Sequence, residues 1–397
     1  MKKSFLYVAV LALCAAAFVS CEPNAHATEE EALDATEEEA LEVWPAFNAD
    51  MKCGYINIKG EFVVPCIYDG AALFSSGLGL VVKEGTTDFT LSFINAKGDT
   101  KITLPSNAEA NPFCEDMSLG QMTEGSNWGF RDPSGKLAIA AIYEDVDDFS
   151  NGAAIFVNSD GKYGAIDKSG KVIVQPQWDR LLDFSCELAR YRTGKAGDYK
   201  YGFIDKSGKI AIDANFPMWD WVGPFSENLA PFRSGTKYGF IDKKGNVAIQ
   251  PLYDWVGNFS EGLAVVELND KYGYIDTKGT MKIQTMYDDC FDFWEGLAFV
   301  VSGTTWSVID KKGNVKISLG DYEPVTEFFH NGLTLIAKED VSGKIEYRYV
   351  NTKNEPIYSV LVDGGPKAPQ KVINKQEKKD KKLMKHTYTL GKTITVE

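Results

Sequence analysis

The sequence predicts an all-β protein built as an array of about nine short repeats, and three observations lead to that prediction. A glycine preceded by an aromatic residue recurs at a regular interval along most of the chain. An Asp or Asn three residues after it and a second Gly six residues after it recur in the same order. The composition is the third observation, because 44% hydrophobic residues and 36 glycines suit a large core of short strands joined by tight turns.

The glycine slot recurs with spacings of 34 to 41 residues. A clear copy is Tyr201-Gly202-Phe203-Ile204-Asp205, with Gly208 completing the pattern. Periods of 20 to 50 residues indicate a solenoid, a propeller or a related array. The nine positions of the slot are Gly54, Ser92, Gly129, Gly164, Gly202, Gly239, Gly273, Ser307 and Arg348.

The Asp or Asn slot predicts a tight hairpin turn in every unit. An Asp at the first position of a type I turn accepts hydrogen bonds from the backbone, and a residue with positive φ three positions later closes a bulged hairpin. Glycine adopts that conformation freely, and Asn354 replaces it in the ninth unit. In a clear copy this places Asp205 opposite Lys209. Both faces of such a hairpin are largely apolar, so it must be layered between neighbouring units.

A second block follows each hairpin and consists of an aromatic residue and an acid. About six residues later comes Phe-x-x-Gly-Leu-Ala or a relative, as in residues 259–264, and the alternating residues after it predict a third strand. Unit two lacks the pair. The aromatic-acid pairs are Tyr68-Asp69, Tyr143-Glu144, Trp178-Asp179, Trp219-Asp220, Tyr253-Asp254, Tyr287-Asp288 and Tyr322-Glu323.

These blocks together resemble the WG-repeat family, also called KWG repeats. The resemblance covers residues 53 to about 360, with Tyr usually in the Trp place and degenerate units at Leu91-Ser92 and Tyr347-Arg348. The fold that we expect is an array of about nine three-stranded units stacked into an open, curved β-solenoid or superhelix, with the ninth unit as a cap. A closed β-propeller is the alternative, since propellers typically have four to eight blades of four strands. The family is not tied to one activity.

The N-terminus predicts export with a lipid anchor. Lys2 and Lys3 precede an apolar stretch at residues 5–19, as in a secretory signal peptide. The residues before Cys21 resemble the lipobox of bacterial lipoproteins, with Phe18 in the place of the usual Leu. We therefore predict a signal peptide at 1–20, a lipidated Cys21 with an acidic linker over 21–43, a repeat domain over 44–362 and a basic tail over 363–397. The predicted location is the cell envelope, at the outer membrane on its periplasmic or surface face.

Charge and cysteine usage exclude several classes of function. A net charge of -14 disfavours nucleic acid as a partner. The cysteines lie far apart, and the turn count places Cys53 opposite Pro65, so no disulfide with Cys66 is expected. With only His26, His330 and His386 and no CxxC motif, neither a metal site nor a cofactor is predicted. In the tail, residues 387–396 are predicted to form a terminal pair of strands.

No catalytic constellation is found, so we predict a binding protein rather than an enzyme. The first hypothesis is a scaffold for protein partners, because extended repeat surfaces suit that role. Longer connections near residues 84–88, 193–200 and 338–344 indicate the binding side. The second hypothesis is a carbohydrate or peptidoglycan module whose aromatic-acid pairs grip sugar rings. Its candidate ligand-binding residues are Tyr68, Trp178, Trp219, Tyr253 and Tyr287.

Overall fold

The structure is a computed structural model that describes residues 42–123, 125–195, 199–214 and 221–363. Within these residues all regular secondary structure is β, in 34 strands grouped into nine antiparallel sheets. None of them forms a helix of the length and hydropathy that a membrane crossing requires. The predicted signal peptide, Cys21, most of the acidic linker and the basic tail lie outside the described residues.

The nine sheets are the blades of a β-propeller. Blade 1 comprises β1 (Trp44–Phe47), β2 (Cys53–Ile56) and β3 (Phe62–Tyr68). Blade 2 comprises β4 (Gly70–Ala71), β5 (Gly79–Glu84), β6 (Phe89–Ile94) and β7 (Thr100–Thr103). Blade 3 comprises β8 (Ser118–Gln121), β9 (Trp128–Arg131) and β10 (Leu137–Tyr143). Blade 4 comprises β11 (Asp145–Val146), β12 (Ala153–Val157), β13 (Tyr163–Asp167) and β14 (Val172–Trp178). Blade 5 comprises β15 (Arg180–Ser185), β16 (Leu188–Thr193), β17 (Lys200–Asp205) and β18 (Ile210–Ile212). Blade 6 comprises β19 (Trp221–Val222), β20 (Leu229–Ser234), β21 (Lys237–Asp242) and β22 (Val247–Tyr253). Blade 7 comprises β23 (Trp255–Ser260), β24 (Leu263–Leu268), β25 (Lys271–Asp276) and β26 (Met281–Tyr287). Blade 8 comprises β27 (Asp289–Cys290), β28 (Leu297–Ser302), β29 (Thr305–Asp310) and β30 (Val315–Gly320). Blade 9 comprises β31 (Glu323–Pro324), β32 (Leu333–Glu339), β33 (Lys344–Asn351) and β34 (Pro356–Asp363).

Most blades have four strands, so the prediction of three-stranded units is wrong. In the seven four-stranded blades the additional strand is the first, and it is often only two residues long, as in Asp145–Val146. It follows the aromatic-acid pair directly, and a hydrophobic pattern cannot reveal a strand of two residues. Each blade therefore takes its first two strands from the end of one sequence unit and its last two from the next.

The first strand of each blade lies towards the centre of the ring. It contacts the second or third strand of the preceding blade, as β15 contacts β12 and β27 contacts β25. The fourth strand lies at the opposite edge of the sheet and exposes alternate residues, as the burial of Val247–Tyr253 shows. Proline in this fourth strand, at Pro65 and Pro251, prevents pairing along the outer edge.

The ring is closed, so the open solenoid is wrong and the alternative, the propeller, is confirmed. Blade 9 packs directly on blade 1: the indole Nε1 of Trp44 donates to the carbonyl of His330 over 2.8 Å, and the Tyr349 hydroxyl donates to the Pro45 carbonyl over 2.6 Å. One hydrophobic cluster spans this seam and includes Phe47, Tyr347 and their neighbours from both blades. Closure removes exposed blade faces at both ends of the array, so the ninth unit is not a cap.

The predicted hairpin turn is confirmed. In blade 5 the amide of Asp205 donates to the carbonyl of Lys209 over 2.9 Å, and the carboxylate of Asp205 accepts from the amides of Ser207 and Lys209. Gly208 has a φ of 80° and Asn354, its substitute in the last blade, a φ of 64°. The Asp and Asn residues of this slot are therefore accounted for by turn formation.

The register beyond the turn differs from the prediction because of bulges. Cys53 lies opposite Tyr68, not Pro65, since the fourth strand contains extra residues between Val64 and Tyr68. A bulge of this kind inserts residues into one strand only and has no fixed sequence signature. The conclusion drawn for the cysteines still holds, because Cys53 and Cys66 are both free thiols.

The Phe-Ser-Glu-Gly turns join each blade to the next. The Ser226 hydroxyl donates to the carbonyl of Phe259, and the Ser260 hydroxyl to that of Phe293, so the serine of one blade binds the phenylalanine of the next. The glutamate of the turn accepts a hydrogen bond from a backbone amide of the next blade, as Glu261 does from Gly296 over 2.9 Å. Equivalent serine bonds start at Ser75, Ser150 and Ser185.

Candidate functional site

The acids of several aromatic-acid pairs form hydrogen bonds and ion pairs with other residues of the same chain. Asp254 accepts from the ammonium of Lys237 over 2.7 Å and from the amide of Asn269 over 2.9 Å. Asp288 makes the same two contacts, with Lys271 and Gly303. Each acid thus holds the turn between the second and third strands and a lysine 17 residues before it. Asp69 and Asp179 also form the lysine contact, with Lys52 and Lys162.

The aromatic residues of the pairs are packed into the blades to different extents. Tyr253 and Tyr287 are buried, with 8% and 7% of their surface exposed. Tyr68 and Trp178 are half-buried, and Trp219 lies outside the described residues. The buried rings present no face on which a sugar could stack. In blade 9 the aromatic-acid pair is displaced by one residue relative to the sheet. Its acid, Glu323, lies opposite Ala337 and so takes the position of Asp145 in blade 4, which lies opposite Val157 and follows the acid of its own pair.

A cluster of carboxylates lies on the inner side of blades 4 and 5. The carboxylate of Asp148 accepts from the side-chain amide of Asn111 of blade 3 over 2.7 Å. Burial raises the pKa of Asp148 to about 6, against the effect of the Asn111 hydrogen bond. Burial also raises the pKa of Asp183, to about 7, and the charges of Asp147 and Asp148 add to this while Arg180 opposes it. Sequence reasoning missed this cluster because its members come from different blades.

Replacing Asp183 with asparagine is expected to weaken the dependence of stability on pH. Since its pKa is raised in the folded state, the folded protein retains a proton that the unfolded chain releases. The contribution of the protonated Asp183 carboxyl group to the free energy of unfolding is complete below about pH 4 and is lost as the pH rises through about 7. At pH 8 the free energy of unfolding of Asp183→Asn is therefore expected to exceed that of the parent by on the order of 1 kcal/mol.

Urea unfolding at pH 5 and pH 8 measures this effect. The control is Asp254→Asn, since Asp254 is exposed and paired with Lys237, and its replacement should leave the pH dependence between these two values unchanged. If Asp183→Asn has the same difference between pH 5 and pH 8 as the parent, the buried carboxylate does not govern the pH response.

The two faces of the propeller differ in their loops. One face, here called the turn face, carries the Phe-Ser-Glu-Gly and Asp-x-x-Gly turns. The other, the loop face, carries the connections between second and third strands, and the predicted longer connections all lie there. These connections are six residues long at 122–127 and 194–199 but two residues long in blades 6, 7 and 8.

Exposed apolar side chains lie in the longer connections of the loop face. Met122 is 40% exposed, Tyr199 is 38% exposed and Val341 is fully exposed. They belong to blades 3, 5 and 9. In the turns of the opposite face, Ile58 is the large apolar residue that is more than a third exposed among the described residues. Among the turns and connections, large exposed apolar residues are therefore more frequent on the loop face than on the turn face.

No group of three or more His, Cys, Asp or Glu residues that could hold a metal ion occurs in the part of the chain that the structure describes. His330 lies in the Phe-His-Asn-Gly turn of blade 9, where its amide donates to the carbonyl of Leu333. Burial lowers the pKa of His330 to about 4, so its imidazole is neutral at pH 7.

The repeats of this sequence match a known protein family. The family described as WG containing repeat matches residues 54–86, 128–163, 163–195, 201–238, 238–272 and 272–303. The chain belongs to this family. The six matched repeats contain the aromatic-Gly pair, whereas the three units that have another residue in place of the glycine, at Ser92, Ser307 and Arg348, lie outside them. Nine blades of this WG-repeat chain lie within the residues that the structure describes.

Similar solved structures show low identity. Apo AztD from Citrobacter koseri is 14% identical with a TM-score of 0.39, over 70% of this chain and 93% of that one. BamB from Moraxella catarrhalis is 11% identical with a TM-score of 0.33, over 81% and 93%. Dipeptidyl peptidase 4 from Porphyromonas gingivalis is 10% identical with a TM-score of 0.45, over 78% and 63%. None of these similarities informs the function, and no curated protein matches the sequence.

Proposed function

We propose that this WG-repeat protein is a non-catalytic scaffold of the cell envelope, anchored by a lipid on Cys21, that binds a protein partner through its loop face. The observation that carries the proposal is the concentration of long connections and exposed apolar tips on one face. Exposed apolar groups rimmed by polar residues mark surfaces where soluble proteins bind each other. A repeat ring with many short turns supplies a rigid frame on which such connections can vary.

A binding role agrees with the chemistry of the described residues. The recurring Asp and Asn residues form turns, acids such as Asp254 bind lysines, and His330 lies in a turn with its side chain partly buried. The carbohydrate alternative needs exposed rings in the aromatic-acid pairs, and Tyr253 and Tyr287 are buried.

Substitution at the loop face is expected to abolish partner binding without unfolding the ring. The test uses the mature protein with Met122→Asp, Tyr199→Asp and Val341→Asp, each of which places a charge on an exposed apolar position. Because truncated apolar anchors at an interface cost about 1 to 3 kcal/mol each, the triple variant should bind at least 100-fold more weakly.

The matched control is Ile58→Asp, which changes an exposed apolar residue of the turn face. The mature protein is used to capture proteins from its native envelope, and each captured protein is then titrated against all variants. A partner whose binding survives Ile58→Asp and is lost in the triple variant supports the proposal. Equal binding by the triple variant, or glycan binding that Tyr68→Ala removes, contradicts it.

The proposed anchor at Cys21 has a direct test. Replacing Cys21 with alanine removes the thiol to which the lipid would be attached, so the variant should take up no labelled fatty acid in cells. A stable lipid anchor is expected to keep the protein in the membrane fraction, and the variant should move to the soluble fraction. Cys66→Ala is the control, because that thiol lies within blade 1. Labelling of the Cys21 variant would exclude Cys21 as the anchor.

A further inference from the structure

Three arginines lie together on the first two strands of blade 5. Arg180 is the first residue of β15 and lies directly opposite Arg192 of β16. Arg190 lies two residues before Arg192 on the same strand. We call these three residues the arginine cluster. Like charges at directly opposed positions destabilise a pair of strands, so this arrangement has an electrostatic cost that a bound negative charge would relieve.

Arg190 occupies a position that is apolar in the equivalent strands of other blades. Its counterparts, by register with the third strand, are Val265 in blade 7 and Phe299 in blade 8. Each of these has 1% of its surface exposed, and Arg190 itself has 7%. Burying a charged side chain costs free energy unless partners compensate for the lost water. Packing between blades therefore does not by itself account for an arginine at this position.

The contacts of the Arg190 guanidinium compensate for its burial only in part. Its Nη1 donates to the carbonyl of Val222 in blade 6. Its Cζ lies 5.5 Å from the ring centroid of Tyr201 and 5.9 Å from that of Trp221, distances at which an aromatic face attracts a cation. Its Nε is buried and has no hydrogen-bond partner in the described residues. One donor of this buried cation is therefore left unsatisfied within that part of the chain.

Carboxylates do not pair with the arginine cluster. Among the described residues, the arginine that forms an ion pair is Arg348, with Glu346. Burial raises the pKa of Asp183 to about 7 although the charge of Arg180 opposes this, so that carboxyl group is only partly ionised at pH 7. Asp183 therefore offsets the charge of Arg180 only in part.

The three guanidinium groups are close enough to influence one another. Burial lowers the pKa of Arg190 to about 10, the charges of Arg180 and Arg192 act in the same direction, and Tyr201 opposes them. The cluster is thus a concentration of positive charge in a chain whose net charge is -14.

The arginine cluster lies at the loop-face end of its strands. β16 ends at Thr193, one residue after Arg192, and the connection at 194–199 follows. The Cζ of Arg192 lies 3.9 Å from the ring centroid of Tyr199 in that connection. Arg180 and Arg192 are half-buried, whereas Arg190 is buried. A ligand that approaches from the loop face therefore meets Arg180 and Arg192 before Arg190.

The chemistry of the cluster selects its ligand. A guanidinium group presents N–H donors in a planar fork that matches two oxygens of one carboxylate or phosphate. We propose that Arg180, Arg190 and Arg192 bind a dianionic oxyanion, a phosphate group or a dicarboxylate, at the interface of blades 5 and 6. The oxygens accept from Arg180 and Arg192, and the negative charge compensates for the buried charge of Arg190. This site goes beyond the proposed partner surface, because a small anion needs no protein partner.

The experiment titrates inorganic phosphate and succinate separately into the mature protein by calorimetry, at constant ionic strength set with sodium chloride. Saturable binding of at least one of them is expected, and the tighter of the two identifies the chemical class. Arg190→Leu removes one of three positive charges and should weaken that binding roughly tenfold or more. Binding of neither anion, or an unchanged affinity in Arg190→Leu, would overturn the proposal.

The matched control is Arg131→Leu. Arg131 is also a buried arginine, 3% exposed, but it lies in blade 3 and its pKa is lowered by burial alone. Its replacement should leave the affinity for the anion unchanged. A second variant, Arg192→Gln, changes a half-buried residue and should weaken binding even if Arg190→Leu does not fold. The same loss in Arg131→Leu as in the cluster variants would contradict a site at blade 5.

Thermal unfolding provides an independent measurement. An anion that binds the folded protein and not the unfolded chain raises the Tm as its concentration rises. The Tm of the parent and of Arg131→Leu should therefore rise with the anion that binds, whereas the Tm of Arg192→Gln should rise less. An equal rise in the parent and in Arg192→Gln would show that the anion acts elsewhere and would overturn the proposal.

Discussion

Replacing Trp44 with alanine is expected to lower the free energy of unfolding by about 3 to 5 kcal/mol, the usual cost of removing a large buried aromatic side chain. Only 1% of its surface is exposed, and its indole N–H donates to the carbonyl of His330 across the seam. The variant loses both the apolar contacts and a bond that joins the first blade to the last. Since the seam closes the ring, we also expect a less cooperative transition.

Equilibrium unfolding in urea, followed by circular dichroism, measures both quantities. Trp128→Ala is the matched control, because Trp128 is a half-buried tryptophan of blade 3 that lies far from the seam. The Trp128→Ala substitution should lower the free energy of unfolding clearly less than Trp44→Ala does, and it should leave the cooperativity of unfolding unchanged. A loss at Trp44 no larger than the loss at Trp128 would mean that the contact between blades 9 and 1 contributes little to stability.

Replacing Phe259 with alanine is expected to cost a similar 3 to 5 kcal/mol, about as much as other buried phenylalanines. Phe259 occupies the Phe slot of blade 7, and its ring centroid lies 4.7 Å from that of Phe240 in blade 6. Pairs of this kind occur at most of the interfaces between blades. The variant therefore tests whether the propeller is stabilised mainly by contacts between neighbouring blades.

A double-mutant cycle with Phe240→Ala isolates the contact between the two rings. We expect a coupling energy of about 0.5 to 1.5 kcal/mol, as for other aromatic pairs in cores. Phe93→Ala is the control, because Phe93 forms the equivalent pair with Phe113 in distant blades, and its effect should add to that of Phe259→Ala. Additivity of Phe240→Ala and Phe259→Ala would show that the ring contact is not itself stabilising.

The features that depend on neighbouring residues could be predicted from the sequence. The Asp205 turn needs only a carboxylate and a glycine three residues apart, and the structure confirms it. The acids after the aromatic residues were visible as a recurring pattern, and Asp254 binds both a nearby backbone amide and a lysine. The recurring serine and glutamate of Phe-Ser-Glu-Gly were visible as a pattern, but their partners lie in the next blade and were missed.

The candidate binding surface could be predicted only in part. The insertions at 84–88, 193–200 and 338–344 indicated a binding side, and the fold brings all of them to the loop face. The aromatic-acid residues were candidates for a ligand, yet the rings of Tyr253 and Tyr287 lie inside the blades. Alternation along a strand does not say which of two apolar faces a neighbouring blade will cover. The cluster of Asp148 and Asp183 has no signal in the sequence, because it forms between blades.

The sequence by itself determined that the protein is all-β, that it has nine units and where each hairpin turns. These properties follow from contacts within a few residues, which each repeat encodes separately. Only the tertiary structure decided that the ring closes and that seven of the nine blades in the described residues begin with an inner strand, which is short in most of them. Closure depends on the small rotation between blades summed over nine interfaces. A repeat motif that is the same for an open and a closed array cannot encode that sum.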